Sequence, residues 1–246
     1  RNKNVIQDYA YKFGITENLP SYLSMSLGAG ETDLLSITNA YGMIINGGKK
    51  ITPTLIDRVQ DRRGNTIFRH DKRDCKNCNG IKSNALDIPL LATQDTREKI
   101  ISSASAYQMV SMLQGAVNRG TGKIINSLGK NLAGKTGTTN ANTDAWFVGF
   151  TPQIATGVWF GVDDYQVSLG KGQDGSKAAL PSWAQFMRES HKILELPRVN
   201  FQKPSGVVVF EICSVSKTGA RKACPIEKEV YKSGTEPTQK CRIHRN

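Results

Sequence analysis

The stretch "LAGKTGTTNANTDAWFVGFTPQIATGVWFGVDD", residues 132–164, decides the fold. It contains strand-like segments at about 131–138, 145–151 and 154–162, which are rich in β-branched and aromatic residues. Residues 140–144 and 152–153 supply the side chains typical of tight turns between them. Parallel neighbours would need a crossover of a dozen or more residues, so the short turns predict three consecutive antiparallel strands.

Helical periodicity predicts helices on both sides of this sheet, at residues 3–13, 34–45, 105–117 and 180–194. We expect Met109, Met112 and Phe186 to face the core, and Glu31 and Asp33 to cap the second helix. A hairpin with one half-buried face is predicted at residues 51–68. The order of elements predicts an α/β fold with a mainly antiparallel sheet flanked by helices.

The chain divides into a main part and two less regular segments. We expect residues 1–195 to form the main domain, with an irregular excursion at 69–100. After a boundary near Pro197, residues 196–246 predict a small β-hairpin appendage. The length of 246 residues suits one domain with such an appendage.

The net charge of +12 would suit an anionic partner, but the basic residues are scattered along the chain. Their densest run, at 62–82, also contains Asp71 and Asp74 and has no interleaved aromatic residues. This pattern disfavours a nucleic-acid partner.

Five cysteines leave at least one unpaired within the chain. Cys75 and Cys78 form a lone C-x-x-C without a second pair at close spacing, so we expect no metal site, with metal binding as the less favoured alternative. Cys224 and Cys241 flank a polar, turn-rich segment and favour a disulfide, which would indicate an oxidising compartment.

Lys135 belongs to two overlapping motifs. Residues 129–136 fit G-x-x-x-x-G-K-[ST], a phosphate-binding loop, and an apolar segment ending at Asp163 resembles the strand that holds a magnesium ligand. A phosphate loop must open a helix, however, and the residues after Thr136 are poor helix formers. Nucleotide binding therefore stays an alternative to the second motif, K-T-G.

K-T-G on a strand suits a substrate that ends in a carboxylate. Lys135 offers a cation, Thr136 and Thr138 offer hydroxyl donors, and Gly137 lets a peptide approach the backbone. The backbone N–H of Thr138 can stabilise an oxyanion. A second K-T-G, at Lys217–Gly219, has no strand–turn–strand after it, and we interpret it as a chance turn.

Residues 22–68 and 132–164, together with "AYQMVSMLQGAVNRGTG" and "GTEPTQKC", resemble the transpeptidase domain of class A penicillin-binding proteins. The resemblance implies a β-lactamase/transpeptidase-like fold, incomplete here, and a serine acyl-enzyme without cofactors. It implies D-Ala-D-Ala stem peptides as substrates, β-lactams as inhibitors, and other cell-wall synthesis proteins as possible partners. The parent would be a membrane-anchored periplasmic enzyme with a glycosyltransferase region.

The resemblance also assigns residues. It implies catalytic roles for Lys135 and Thr138, and substrate binding by Thr136, Gly137, Thr138, Asn140 and Trp146. Asp144, in the same turn, would support the floor of the site.

The family's S-x-x-K and S-x-N motifs have no convincing match. S-x-x-K occurs at Ser127–Lys130, Ser168–Lys171 and Ser214–Lys217, all badly placed relative to Lys135, and S-x-N is absent. We expect the nucleophile to precede Arg1 and the chain alone to be inactive. The alternative from another class is a non-catalytic module that binds peptidoglycan or a partner.

Overall fold

The computed structural model describes residues 3–71, 95–164 and 166–244. The pair Cys75 and Cys78 and most of the predicted excursion lie outside these residues. The chain forms two compact units: one of Arg1–Lys49 with Lys99–Asn246, and one of Lys50–Glu98. The proposed division of the larger unit near residue 195 stays a prediction.

The helices and the strands of the central sheet follow the sequence pattern to within a few residues, whereas the hairpin predicted from residue 51 begins only at Arg58. The helices are α1 (Lys3–Lys12), α2 (Leu34–Ile45), α3 (Ser103–Asn118) and α4 (Ala179–Ile193). The strands are β1 (Arg58–Gln60), β2 (Thr66–Arg69), β3 (Ala133–Thr138), β4 (Asp144–Phe150), β5 (Ala155–Gly161), β6 (Val207–Cys213) and β7 (Ile226–Lys232). Among the described residues, no helix is both long and apolar enough to span a bilayer.

The central sheet of the larger unit has the order β3-β4-β5, and both pairs are antiparallel. Gly137 lies opposite Trp146, which in turn lies opposite Trp159. The antiparallel arrangement predicted from the two short turns is therefore confirmed. Within the described residues, β3 is an outer strand of this sheet.

Helices α3 and α4 bury their apolar stripes against the sheet. Trp183 of α4 meets Phe147 of β4 edge-to-face, with ring centroids 4.9 Å apart. The buried stripe of α3 consists of Ala106, Val110, Leu113 and Val117, and Ala133 and Phe150 of the sheet pack in the same cluster as Val110 and Leu113. Phe147 and Phe150 are three positions apart on β4, so α4 and α3 cover opposite faces of the sheet. This packing holds β3 in a fixed position.

Three expected core residues are exposed. Met109, Met112 and Phe186 have 39%, 65% and 54% of their surface accessible. On α3 the two methionines lie beside the buried stripe, and α4 buries Trp183 and Met187 instead of Phe186. A helix with apolar residues all around cannot reveal from its sequence which of them meet the sheet.

The smaller unit contains the predicted hairpin of β1 and β2, closed by a turn in which Asp61 accepts hydrogen bonds from Arg63 and Asn65. Every residue of both strands is exposed, so the expected half-buried face is wrong. An alternating pattern shows which side chains share a face, but burial requires a covering layer, which the local sequence does not specify.

The predicted C-terminal hairpin consists of β6 and β7, paired antiparallel from Val207↔Lys232 to Cys213↔Ile226. It packs on α3, where the Gln108 side chain donates a hydrogen bond to the Val230 carbonyl at 3.2 Å. The expected disulfide is not formed, because Cys213, Cys224 and Cys241 are all free and buried. Spacing along the chain pointed to one pair, whereas the fold brings three thiols together.

Candidate functional site

Strand β3 places the K-T-G residues on an accessible part of the sheet. Its first two residues, Ala133 and Gly134, are buried, whereas Lys135 and Thr138 are exposed and Thr136 and Gly137 are half-buried. The strand begins in the core and ends at the surface. Packing in the core fixes its first residues, and its last residues stay accessible to a ligand. This is the arrangement that recognition of an extended peptide requires.

Lys135 is a surface cation at this edge. Its ammonium donates a hydrogen bond to the Thr136 carbonyl at 2.9 Å. Within the described ranges, Lys135 forms no ion pair with a carboxylate. The charge is therefore available to an anionic ligand, since a single backbone carbonyl only partly compensates it.

Two residues outside the motif contact its hydroxyl groups. Thr121, between α3 and the following 3-10 helix, lies 3.0 Å from Thr136 through the two Oγ1 atoms. The backbone N–H of Gly175 donates to Oγ1 of Thr138 at 3.0 Å. No sequence motif points to either residue, although a threonine between two glycines after a helix is a signal of an exposed loop.

Gly137 sits where little space is left for a side chain. A Cβ added there would lie 3.1 Å from Cβ of Trp146, its partner across the ladder. A Cβ at Gly175 would collide with the Trp146 carbonyl oxygen and lie 2.7 Å from that of Gly137. The segment at Gly175 therefore lies directly on the backbone of β3 and β4.

The turn between β3 and β4 is organised by Thr139 and Asp144. Oγ1 of Thr139 accepts hydrogen bonds from the backbone N–H groups of Thr143 and Asp144 at 3.0 and 2.9 Å. The Asp144 carboxylate accepts a hydrogen bond from the Trp159 indole at 2.8 Å. Trp159 also meets Trp146, with ring centroids 6.0 Å apart, so Asp144 fixes the aromatic pair behind Gly137.

Asn140 lies exposed in this turn, one residue beyond Thr139. The structure thus brings Lys135, Thr136, Gly137 and Thr138 together on one strand and Trp146 directly opposite. It places Asn140 next to the end of that strand. Their roles in binding and catalysis stay predictions.

The serines of the three S-x-x-K sequences are engaged elsewhere. The Ser127 hydroxyl donates to Ile124 in a 3-10 helix, and the Ser168 hydroxyl donates to the Ala141 carbonyl at 2.8 Å. Ser214 lies in the C-terminal hairpin, where its backbone N–H donates to Pro225. None of the three lies at the start of an α-helix.

The phosphate-loop alternative is contradicted by the backbone. Lys135 and Thr136 lie within β3, and the segment after β3 is a turn that leads to β4 rather than the first turn of a helix. Without a helix N-terminus, the backbone N–H groups cannot converge on a phosphate as such a loop demands. The geometry supports the K-T-G interpretation.

The family whose description is "Penicillin binding protein transpeptidase domain" matches residues 6–188. A second, "Penicillin-binding protein 1A, C-terminal domain", matches residues 203–246.

The chain is 40% identical to a penicillin-binding protein 1A of Rickettsia prowazekii over 208 residues, covering 84% of this chain and 26% of that protein. It is 37% identical to the Neisseria lactamica protein of the same name over 204 residues, with 82% and 23% covered. The chain thus spans about a quarter of the length of the curated relatives it matches.

The fold is similar to a crystal structure of penicillin-binding protein 1A from Haemophilus influenzae, with a TM-score of 0.79 and 26% identity. That match covers 98% of this chain and 38% of the other. The penicillin-binding protein PonA1 from Mycobacterium tuberculosis shares the fold at a TM-score of 0.57 and 23% identity, over 80% and 51% of the two chains.

Proposed function

This chain belongs to the penicillin-binding protein transpeptidase family, and from that premise we propose that it forms the carboxylate-binding side of a serine D,D-transpeptidase site. In this reaction a serine attacks the D-Ala-D-Ala bond of a stem peptide and expels the terminal D-alanine. The amine of a second peptide then takes the acyl group, which forms the cross-link.

We assign the binding of the terminal carboxylate to β3. The Lys135 ammonium supplies the positive charge, and the hydroxyl groups of Thr136 and Thr138 supply hydrogen bonds. The stem peptide extends along the outer edge of the strand, and the backbone N–H of Thr138 stabilises the oxyanion. A β-lactam carries a carboxylate beside a reactive carbonyl and takes the same position.

One observation carries this proposal. Lys135 is exposed on an outer strand, two residues before Gly137, and it forms no ion pair with a carboxylate among the described residues. Thr121 and Gly175 support it, because they hold the hydroxyl groups of Thr136 and Thr138 from either side of the motif. Asn140 and Trp146 form the end and the floor of the same surface.

We further propose that the 246-residue chain alone forms no acyl-enzyme. The hydroxyl groups of Ser127 and Ser168 donate hydrogen bonds to the carbonyls of Ile124 and Ala141, and Ser214 lies in the C-terminal hairpin. The nucleophile would come from a more N-terminal part of a longer protein, which would be anchored at the outer face of the plasma membrane and carry glycosyltransferase activity.

The test is labelling with a fluorescent penicillin, followed by gel electrophoresis. The 246-residue chain should give no covalent adduct, and a longer form of the protein that includes S-x-x-K upstream should give one. In that longer form, Lys135→Ala should lower the second-order rate of acylation by roughly 10- to 100-fold, because a hydrogen bond to a charged group is lost.

The second K-T-G offers a matched control. Lys217→Ala removes the same side chain from the same tripeptide, but there the ammonium is paired with Glu227 at 2.6 Å. This variant should be labelled at the unaltered rate. Equal labelling of Lys135→Ala and the unaltered protein would contradict the proposed role of β3, and an adduct on the 246-residue chain would contradict its inactivity.

A further inference from the structure

Four side chains with metal-binding atoms meet at the base of the C-terminal hairpin. Cys213 ends β6, Cys224 precedes β7, and Cys241 and His244 belong to the tail that follows. The tail is held in place by Gly219, whose N–H donates to Gln239 and whose carbonyl accepts from Cys241. Residues up to 31 positions apart in sequence therefore converge, because the tail pairs with the hairpin loop.

The distances within this cluster fit a tetrahedral metal ion. The three Sγ atoms and the imidazole nitrogen all lie within 4.8 Å of one another, and Nδ1 of His244 lies 3.4 Å from Cys213 and 3.5 Å from Cys241. A tetrahedral zinc ion, with Zn–S about 2.3 Å and Zn–N about 2.0 Å, places sulfur about 3.5 Å from nitrogen and about 3.8 Å from another sulfur. The observed arrangement requires only small adjustments to hold one.

The surroundings also suit thiolate ligands. All three cysteines are buried, with 0%, 8% and 0% of their surface exposed for Cys213, Cys224 and Cys241. The backbone N–H of Arg221 donates to Sγ of Cys224 at 3.2 Å, and that of His244 donates to Sγ of Cys241 at 3.5 Å. Hydrogen bonds of this kind orient and stabilise the sulfur ligands of a structural metal site.

The hairpin and tail have few buried apolar residues of their own. Their own core is the cluster of Cys213, Cys224 and Cys241 with Ala220 packed beside it, and Val207 and Ile212 are the other buried apolar residues described there. A segment of about 40 residues rarely folds on so few apolar contacts without a disulfide or a metal. A disulfide or a metal ion at the three cysteines would therefore stabilise the hairpin and the tail.

We propose that Cys213, Cys224, Cys241 and His244 bind one zinc ion, which fixes the C-terminal tail to the hairpin. Three sulfur ligands and one nitrogen form a closed ligand set of the structural kind, with no position left for water. A disulfide explains the cluster less well, since it would use two sulfurs and leave a third buried thiol beside the imidazole. This proposal differs from the expectation of no metal site and does not depend on the proposed function.

The first measurement is elemental analysis of the 246-residue protein, purified without chelator or added reductant. It should contain about one zinc ion per chain. Replacement of the metal by Co²⁺ should give the intense visible bands of tetrahedral cobalt and a thiolate-to-cobalt charge-transfer band. Removal of the metal with a chelator should lower the melting temperature, because binding and folding of the hairpin are linked.

Matched variants locate the ion. Cys241→Ser should lose the zinc, and Cys241→His should retain it, since Cys₂His₂ is also a zinc ligand set. The double variant Cys75→Ser with Cys78→Ser should keep the full zinc content. Because Cys241→Ser alone could fail to fold, the cobalt spectrum of the unaltered protein gives an independent result.

Each of three outcomes would overturn the proposal. The first is protein without metal in which peptide mapping finds a disulfide between two of the three clustered cysteines. The second is zinc that is lost from the Cys75 and Cys78 double variant but kept in Cys241→Ser. The third is protein with three reduced thiols that does not take up Zn²⁺ or Co²⁺.

Discussion

Gly175 is a position beside the candidate site at which the packing leaves no room for a larger side chain. Its N–H holds the hydroxyl group of Thr138, and its Cα packs on the backbone of Gly137 and Trp146. Neither contact can be inferred from the sequence, because Gly175 is 37 residues beyond Thr138 in a segment with no motif. Only the fold brings that segment onto β3.

Gly175→Ala should therefore destabilise the protein. The added methyl group would meet backbone atoms of Trp146 and Gly137, which cannot move as easily as the end of a side chain. We expect a loss of about 1–3 kcal/mol in the free energy of unfolding, measured by urea denaturation. The nearby exposed substitution Lys177→Ala should change it by less than about 0.5 kcal/mol. Equal stability of the two variants would contradict this packing.

At the scale of single helices and strands, the sequence predicts where each α-helix lies. It does not always show which residue caps the helix or which of its faces is buried. The sequence predicts that Glu31 and Asp33 both cap α2. The structure assigns the cap to Asp33, whose carboxylate accepts hydrogen bonds from the N–H and the hydroxyl of Ser36 at 2.8 and 2.6 Å. Glu31 is exposed and lies outside the first turn.

Asp33→Ala should cost about 1 kcal/mol of stability, because the first turn of α2 loses its side-chain acceptor. Glu31→Ala removes a carboxylate two residues away and should leave stability unchanged within about 0.5 kcal/mol. Thermal or urea denaturation at neutral pH compares the two variants. A larger effect at Glu31 than at Asp33 would show that the cap is wrongly assigned.

This contribution should also depend on pH. The hydrogen bonds from Ser36, first from its hydroxyl and then from its backbone N–H, lower the pKa of Asp33 below the ordinary value of 3.8. A lowered pKa in the folded state gives stability that is present above the unfolded pKa and lost as the pH falls through the folded pKa. The difference between Asp33→Ala and the unaltered protein should therefore shrink below about pH 4.

At the scale of the larger unit, the C-terminal hairpin is joined to α3 by charges as well as by packing. Glu227 of β7 accepts from Lys217 at 2.6 Å and faces the guanidinium of Arg119 at 3.2 Å. The hydrogen bond from Lys217 is the main cause that lowers the pKa of Glu227, and burial opposes it. The Glu227 carboxylate therefore links β7 to the loop after β6 and to the C-terminal end of α3.

Glu227→Gln should loosen the hairpin without unfolding the sheet. Loss of the charge should cost about 0.5–1 kcal/mol, and the amides of β7 should exchange with deuterium roughly two- to five-fold faster. Glu211→Gln is the matched control, because its pairing with Lys228 is exposed and 3.9 Å long. Equal exchange rates in both variants would mean that the carboxylate at Glu227 does not hold the hairpin.

The sequence by itself determined the order of helices and strands, the antiparallel sheet and the strand position of Lys135. These depend on periodicity, turn residues and loop length, which act between neighbours in the chain. Tertiary structure decided which helix faces are buried, which residues support Thr136 and Thr138, and that three cysteines and a histidine meet. Such contacts join residues far apart in the chain, and no local pattern records which distant side chains the packed core will bring within hydrogen-bonding distance.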